Sequence, residues 1–104
     1  MDITIKQSQR NFTLRAAALI IDSGRLLAVK SDGYEAYYTV GGKVRIGEST
    51  AEAVVREAFE ETGYRFEIER LLFINEGFFS VGDCAHHEVC FSYLMKPNST
   101  IICG

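Results

Sequence analysis

Residues 42–64 read GKVRIGESTAEAVVREAFEETGY, and the fold turns on how this stretch is read. Ser49 followed by Glu52 has the spacing of a capping box, in which each side chain takes a backbone N–H of the other residue. Gly63 suits the left-handed position that closes a helix. The spacing therefore predicts a helix that starts just after Ser49 and stops before Gly63. Within it, Ala51, Val54, Val55, Ala58, Phe59 and Thr62 recur at helical spacing and form one apolar stripe. The remaining face carries Arg56, Glu57, Glu60 and Glu61.

That polar face is unusual in its sign pattern. Positions i, i+3 and i+4 share one face of a helix, so the three glutamates crowd into an arc of roughly 100°. A lysine four residues after Glu57 would be stabilising, and a second acid there costs a few tenths of a kcal/mol. A solvated acidic face is one reading of such a run. The glycines upstream favour another. Gly41, Gly42 and Gly47 bracket a loop, Lys43 to Ile46, that leads through Glu48 into the helix N-terminus, where exposed N–H groups favour an anion. Lys43 and Arg45 lie on this loop within reach of phosphate. A hard divalent cation would relieve the acid cluster, and Mg²⁺ is the usual choice beside phosphate.

The fixed positions of this stretch resemble the signature of the Nudix (MutT-like) hydrolases: Gly42, Glu48, the pair Arg56-Glu57, the pair Glu60-Glu61, and Gly63, all at the family's spacings. Ala58 and Tyr64 stand where aliphatic residues are usual, and Val40 precedes the paired glycines where family members often have proline. The resemblance implies an α/β fold, the Nudix α/β/α sandwich with a mixed β-sheet, here lacking the C-terminal helix. It implies Mg²⁺-dependent hydrolysis, with Mn²⁺ as a substitute, of a pyrophosphate bond in a nucleoside diphosphate linked to another group X. Glu57, Glu60 and Glu61 would bind metal together with the Gly41 carbonyl. Glu57 or a carboxylate elsewhere would act as base, Arg56 would orient the glutamates, and Glu48 would support the loop or a further metal. Glu57, Arg56 and Glu60 form the expected catalytic set; Gly42, Lys43, Arg45 and Glu48 form the expected phosphate-binding set. The alternative is a Nudix-like module that holds a nucleotide without cleaving it.

At 104 residues with net charge −3 and a pI near 5.3, the sequence reads as a single domain, 1–104, and not as a duplex nucleic-acid binder, which would show a basic patch. No apolar run reaches the roughly 18 residues of a transmembrane helix, and Met1 to Asn11 lacks the apolar core of a signal peptide. Cys84, Cys90 and Cys103 are odd in number and lack metal-ligand spacing, as expected of a reducing, cytoplasmic compartment. The expected partner is a small nucleotide, with a nucleoside triphosphate favoured because no subgroup marker follows the signature.

Along the chain, Phe12 to Ile21 and Arg25 to Lys30 read as a hairpin around Asp22-Ser23-Gly24. The first strand is apolar enough to be covered on both faces. Ser31 to Ala36 reads as a loop and Tyr37 to Val40 as a short strand. Leu71 to Phe79 and His87 to Met95 read as two further strands joined through Gly82-Asp83. Tyr34, Tyr37, Tyr38, Phe78 and Phe79 are either core aromatics or platforms for a base. Glu88 is either a strand-surface residue or an extra metal ligand, and His86 and His87 fit a strand edge better than an oxygen-preferring site. Family members usually continue beyond the equivalent of Met95 into more strand and a closing helix. Ile101-Ile102-Cys103-Gly104 stops short of that, as in a truncated chain or a minimal member, and an exposed sheet face would favour a homodimer.

Overall fold

The computed structural model of the chain describes residues 2–7, 9–22, 25–27, 29–30, 37–38 and 40–97. One long strand organises them. β2 (Arg10–Asp22) is flanked along one side by β8 (Cys84–Pro97) in parallel register, from Arg10↔Ala85 to Ile20↔Met95. Its other side is shared by three short antiparallel strands: β1 (Thr4–Gln7) along Arg10 to Thr13, β6 (Val40–Lys43) along Arg15 to Ala18, and β3 (Arg25–Leu27) along Ile20 to Asp22. β7 (Phe66–Val81) pairs antiparallel with β8 and completes a mixed sheet in the order β7-β8-β2, then β1, β6 and β3. β4 (Val29–Lys30) and β5 (Tyr37–Tyr38) form a separate ribbon.

The helix, α1 (Thr50–Thr62), has the boundaries read from the sequence. Ser49 Oγ accepts from the Glu52 N–H at 3.0 Å, and Glu52 Oε1 accepts from the Ser49 N–H at 2.9 Å, so the capping box is closed. Gly63 takes φ +79° and donates to the Phe59 carbonyl. The buried stripe, however, is rotated from the one expected. Ala53, Val54 and Ala58 are fully buried, whereas Phe59 is 39 % exposed with the Arg65 guanidinium over its ring. The sheet beneath decides this rotation: alanines at 16 and 18 leave room only for small helix residues to approach closely.

Side chains alternate between the two faces of the sheet. Ala16, Ala18, Ile20 and Met95 point toward α1 and join Val40, Val44, Ala53, Val54, Ala58 and Phe66 in the core. Tyr93 belongs to this face, its hydroxyl 2.6 Å from Thr50 Oγ1. The opposite face carries Asn11, Thr13, Arg15 and Ala17 of β2, alongside His86, Glu88, Cys90 and Ser92 of β8. Among the described residues no helix covers it, and Ala17, Leu19 and Leu94 are half-buried, so the expected double coverage of the first strand is only partial.

Several boundaries differ from the sequence reading. β1 was not expected from its polar residues; it is held through pairing with β2 and by the Ile3 N–H donating to the Val44 carbonyl at 2.6 Å. β6 carries the paired glycines and takes in Lys43, the first residue of the expected loop, and the described residues of the expected strand Tyr37 to Val40 fall in two strands, β5 and β6. β7 and β8 are longer than expected and meet at the Gly82-Asp83 turn. The expected turn residues Ser23 and Gly24, the loop Ser31 to Ala36, and the final stretch with Cys103 lie outside the described residues. No described helix is long and apolar enough to cross a membrane.

Candidate active site

The acids of α1 meet the glycines of β6 at the edge of the sheet. Gly42 stands opposite Ala16 on the helix-facing side, and the Glu57 carboxylate lies directly against its Cα; a Cβ placed there would fall 2.6 Å from Glu57 Cδ and 2.7 Å from each carboxylate oxygen. One residue earlier, the Gly41 N–H is near enough to Glu61 to favour its charged form. A strand residue sends its N–H and C=O to the same side, so the Gly41 carbonyl oxygen shares that outer edge.

Arg56 ties the acids together with every N–H it has. Nε donates to Glu48 Oε2 at 2.7 Å and Nη2 to Glu48 Oε1 at 3.0 Å, a bidentate fork. Nη1 donates to Glu57 Oε1 at 2.9 Å and to Glu60 Oε1 at 2.8 Å. The second Nη2 proton goes to the Lys43 carbonyl at 3.1 Å. The five donors of a guanidinium thus meet five acceptors. Glu48 is brought to Arg56 by the turn Arg45 to Glu48, in which the Glu48 N–H donates to the Arg45 carbonyl and Gly47, at φ +89°, occupies the left-handed position that such a turn gives to glycine. Glu48 Oε1 also accepts from the Arg45 N–H at 3.0 Å. Glu48 is therefore committed to holding Arg56 and the turn.

The electrostatics follow from this wiring. The Arg56 hydrogen bond is the main influence holding the Glu48 carboxyl below its ordinary range, assisted by the Arg45 N–H and opposed by burial. A carboxyl depressed in the folded state contributes stability that is complete above its unfolded pKa, about 4.3, and is lost as pH falls through the lower folded value. Melting temperature should therefore drop below about pH 4.3, and Glu48→Gln should flatten that part of the curve. An acid limb as steep in the variant as in the wild type would contradict the assignment.

Glu61 behaves in the opposite way. Burial first, then the Glu57 and Glu60 charges, push its carboxyl up, against the Gly41 N–H and the Arg15 charge. It has no salt bridge among the described residues, so its charge is the poorly compensated one of the cluster. Glu57 and Glu60 share Arg56 Nη1, and among the described residues no three acidic, histidine or cysteine side chains already converge as one coordination set. The donor chemistry nonetheless fits a hard divalent cation: carboxylate oxygens, a backbone carbonyl and surplus negative charge at one sheet edge.

Of the other sequence candidates, Lys43 and Arg45 are exposed, with Arg45 Nη2 4.0 Å from Glu60 Oε2. Glu88 lies on the face away from α1, in the row of Thr13 and Gly77, and is not brought to the α1 acids. His87 Nε2 is 2.7 Å from Glu76 Oε2. Tyr34 and the side chains of Tyr37 and Tyr38 lie outside the described residues. Arg15 was missed by the sequence reading. It sits across from Lys43 and Cys90 and is the cation felt by both Glu61 and Cys90; its one sequence signal is a charge inside an otherwise apolar strand.

Comparison with known proteins places the chain's family and fold. The NUDIX domain family matches residues 11–102. No curated protein matches the chain by sequence. Among solved structures, a MutT NUDIX hydrolase from Burkholderia pseudomallei is similar at 27 % identity and TM-score 0.69, over 82 % of this chain and 67 % of that one. A NUDIX hydrolase from Nitrosomonas europaea is similar at 27 % identity and TM-score 0.61, over 80 % of this chain and 58 % of that one. A UDP-X diphosphatase shares the fold at 24 % identity and TM-score 0.64, over 80 % of this chain and 41 % of its own. This chain thus spans between 41 % and 67 % of the length of these three structures. With its signature residues assembled at one sheet edge and the family match running over nearly its whole length, the chain belongs to the Nudix family.

Proposed function

We propose that the chain hydrolyses a pyrophosphate bond in a nucleoside diphosphate linked to a further group, with Mg²⁺ or Mn²⁺ bound by Glu57, Glu60, Glu61 and the Gly41 carbonyl. The observation that carries this reading is the full engagement of Arg56, which fixes Glu48, Glu57 and Glu60 beside the paired glycines. When bound, the cation supplies charge neutralisation at the phosphate oxygens and lowers the pKa of an attached water. The protein's own part is positional. Arg56 holds Glu57 and Glu60 in one orientation while leaving each a free oxygen lone pair for metal or water. Glu57, pinned over Gly42, is the candidate to accept the proton of the attacking water. Glu48 acts through Arg56 as a positioning residue. Lys43 and Arg45, exposed on β6 and the turn that follows it, would meet phosphate charge. No covalent nucleophile is needed, since phosphoryl chemistry is carried mostly by positioning and electrostatics.

The test is turnover of a panel of nucleoside di- and triphosphate derivatives with and without Mg²⁺, together with thermal melts. Glu57→Gln and Glu61→Gln should each reduce kcat/KM by on the order of 10²-fold or more while the proteins still melt cooperatively. Mg²⁺ should raise the melting temperature of the wild type but not of Glu61→Gln. Wild type that binds a nucleotide tightly yet cleaves nothing on the panel would establish the non-hydrolytic module instead. Variants with full activity would refute the site.

A further inference from the structure

Among the described residues the two margins of the sheet are built differently. On the β2 side, β1, β6 and β3, of four, four and three residues, share the margin, a broken edge that discourages further pairing. On the other side stands β7, 16 residues long and paired among the described residues only with β8. Its first half carries the usual guards of an exposed edge. The register shifts between Ile68 and Arg70 and between Leu71 and Phe73, and charges stand at Glu67, Glu69 and Arg70. Such irregularities and charges keep a further strand away. From Phe73 to Val81 the pairing is regular, with no proline or lysine and with Glu76 as the one charge.

This unguarded stretch begins Phe73-Ile74-Asn75-Glu76-Gly77-Phe78-Phe79, and its apolar residues fall symmetrically about Glu76. Phe73 and Phe79 lie three positions to either side, Ile74 and Phe78 two. Strand alternation puts Ile74 and Phe78 on the face of Glu76, and Phe73 and Phe79 on the other. All four are open to solvent, from 46 % for Phe79 to 71 % for Phe78. Large apolar side chains on both faces of an unpaired edge are what a monomer ordinarily avoids.

We propose that a second copy of this chain pairs with this edge, β7 running antiparallel to the other β7 about a two-fold axis at Glu76. The unpaired N–H and C=O groups of an edge are answered by an extended strand, and this chain carries one whose side chains match. In a two-fold pair, residues equally far from the axis stand opposite each other. Phe73 of each copy then meets Phe79 of the other, and Ile74 meets Phe78, which makes four apolar cross-strand pairs, two on each face. An axis at Asn75 or Gly77 would instead set Ile74 or Phe78 against Glu76. The matched register has one unfavourable contact, Glu76 opposite Glu76, where like charges repel. Within each copy His87 Nε2 lies 2.7 Å from Glu76 Oε2 and gives that carboxylate a hydrogen-bond donor.

The experiment is sedimentation equilibrium of the chain from micromolar to millimolar concentration, with amide hydrogen exchange at both ends of that range. The wild type should pass reversibly from monomer to dimer, and amides within residues 73–79 should exchange more slowly as the dimer forms. Phe78→Lys, at the most exposed of the four positions, should weaken the dimer at least about tenfold, because two of the four apolar pairs are lost. Glu76→Gln should tighten it about two- to fivefold by removing the like-charge contact, a gain that no folding defect can imitate. A wild type that stays monomeric throughout would overturn the proposal. So would exchange within 73–79 that ignores concentration, or a dimer that Glu76→Gln fails to tighten.

Discussion

Arg56→Ala is expected to destabilise the folded chain by about 2–4 kcal/mol, toward the lower part of the cost of removing one partner from a buried ion pair. The reason lies in what is left behind. Glu48 and Glu57 have side chains only 16 % and 19 % exposed, and without the guanidinium each keeps its charge in a half-dry site beside another acid. Glu60, at 47 % exposed, can turn to water and contributes little to the loss. For a domain of this size each kcal/mol lowers the melting temperature by about 4–8 °C, so a drop of at least about 8 °C should be seen. Arg56→Lys is the sharper variant. It keeps the charge but offers three donors in place of five and cannot lie flat against Glu48. It should therefore restore part of the stability and little of the turnover, because Glu57 and Glu60 would no longer be held by one planar group. A lysine variant that melts and turns over like the wild type would show that charge alone is required there.

The contrast between what was legible in the sequence and what was not follows from the range of the interactions. Ser49, Glu52 and Gly63 act within one turn of their own positions, so α1 could be bounded from spacing alone. The common face of Glu57, Glu60 and Glu61 is equally a matter of helical period. The rotation of the buried stripe toward Ala53 was not legible, because the small residues Ala16 and Ala18 on another element select it. β1 failed for a similar reason: Thr4–Gln7 is a strand through its pairing with residues 10–13, not through its own composition. The short strand was expected to end at Val40 because glycine is depleted in strands, yet it runs on through Gly41 and Gly42 to Lys43, with the Glu57 carboxylate close against Gly42. The place of Arg15 beside Cys90 exists only through the parallel pairing of β2 with β8, elements separated by more than sixty positions in the chain.

The paired glycines yield the most separable prediction, since adjacent substitutions should fail in different ways. At Gly41 a Cβ would meet main chain, lying 2.8 Å from Ala17 Cα and closer still to the Ala16 carbonyl oxygen. Backbone cannot swing aside, so Gly41→Ala must push β6 off β2. The expected cost is about 1–3 kcal/mol, the range for overpacking a tight contact, with activity falling as the fold does. At Gly42 the Cβ would meet only the end of the Glu57 side chain. That end can rotate away, so Gly42→Ala should melt within a few degrees of the wild type. The displaced carboxylate is the one proposed to bind metal and accept a proton, and a shift of about 1 Å in a reacting group costs on the order of 10²-fold in rate. Gly42→Ala is therefore expected to lose on the order of 10²-fold in kcat/KM with its fold retained. Melting curves and Mg²⁺-dependent kinetics on the two variants, side by side, separate the effects. If Gly42→Ala keeps its activity, Glu57 does not work from the position it occupies over Gly42, and the base must be sought among the other acids of the cluster.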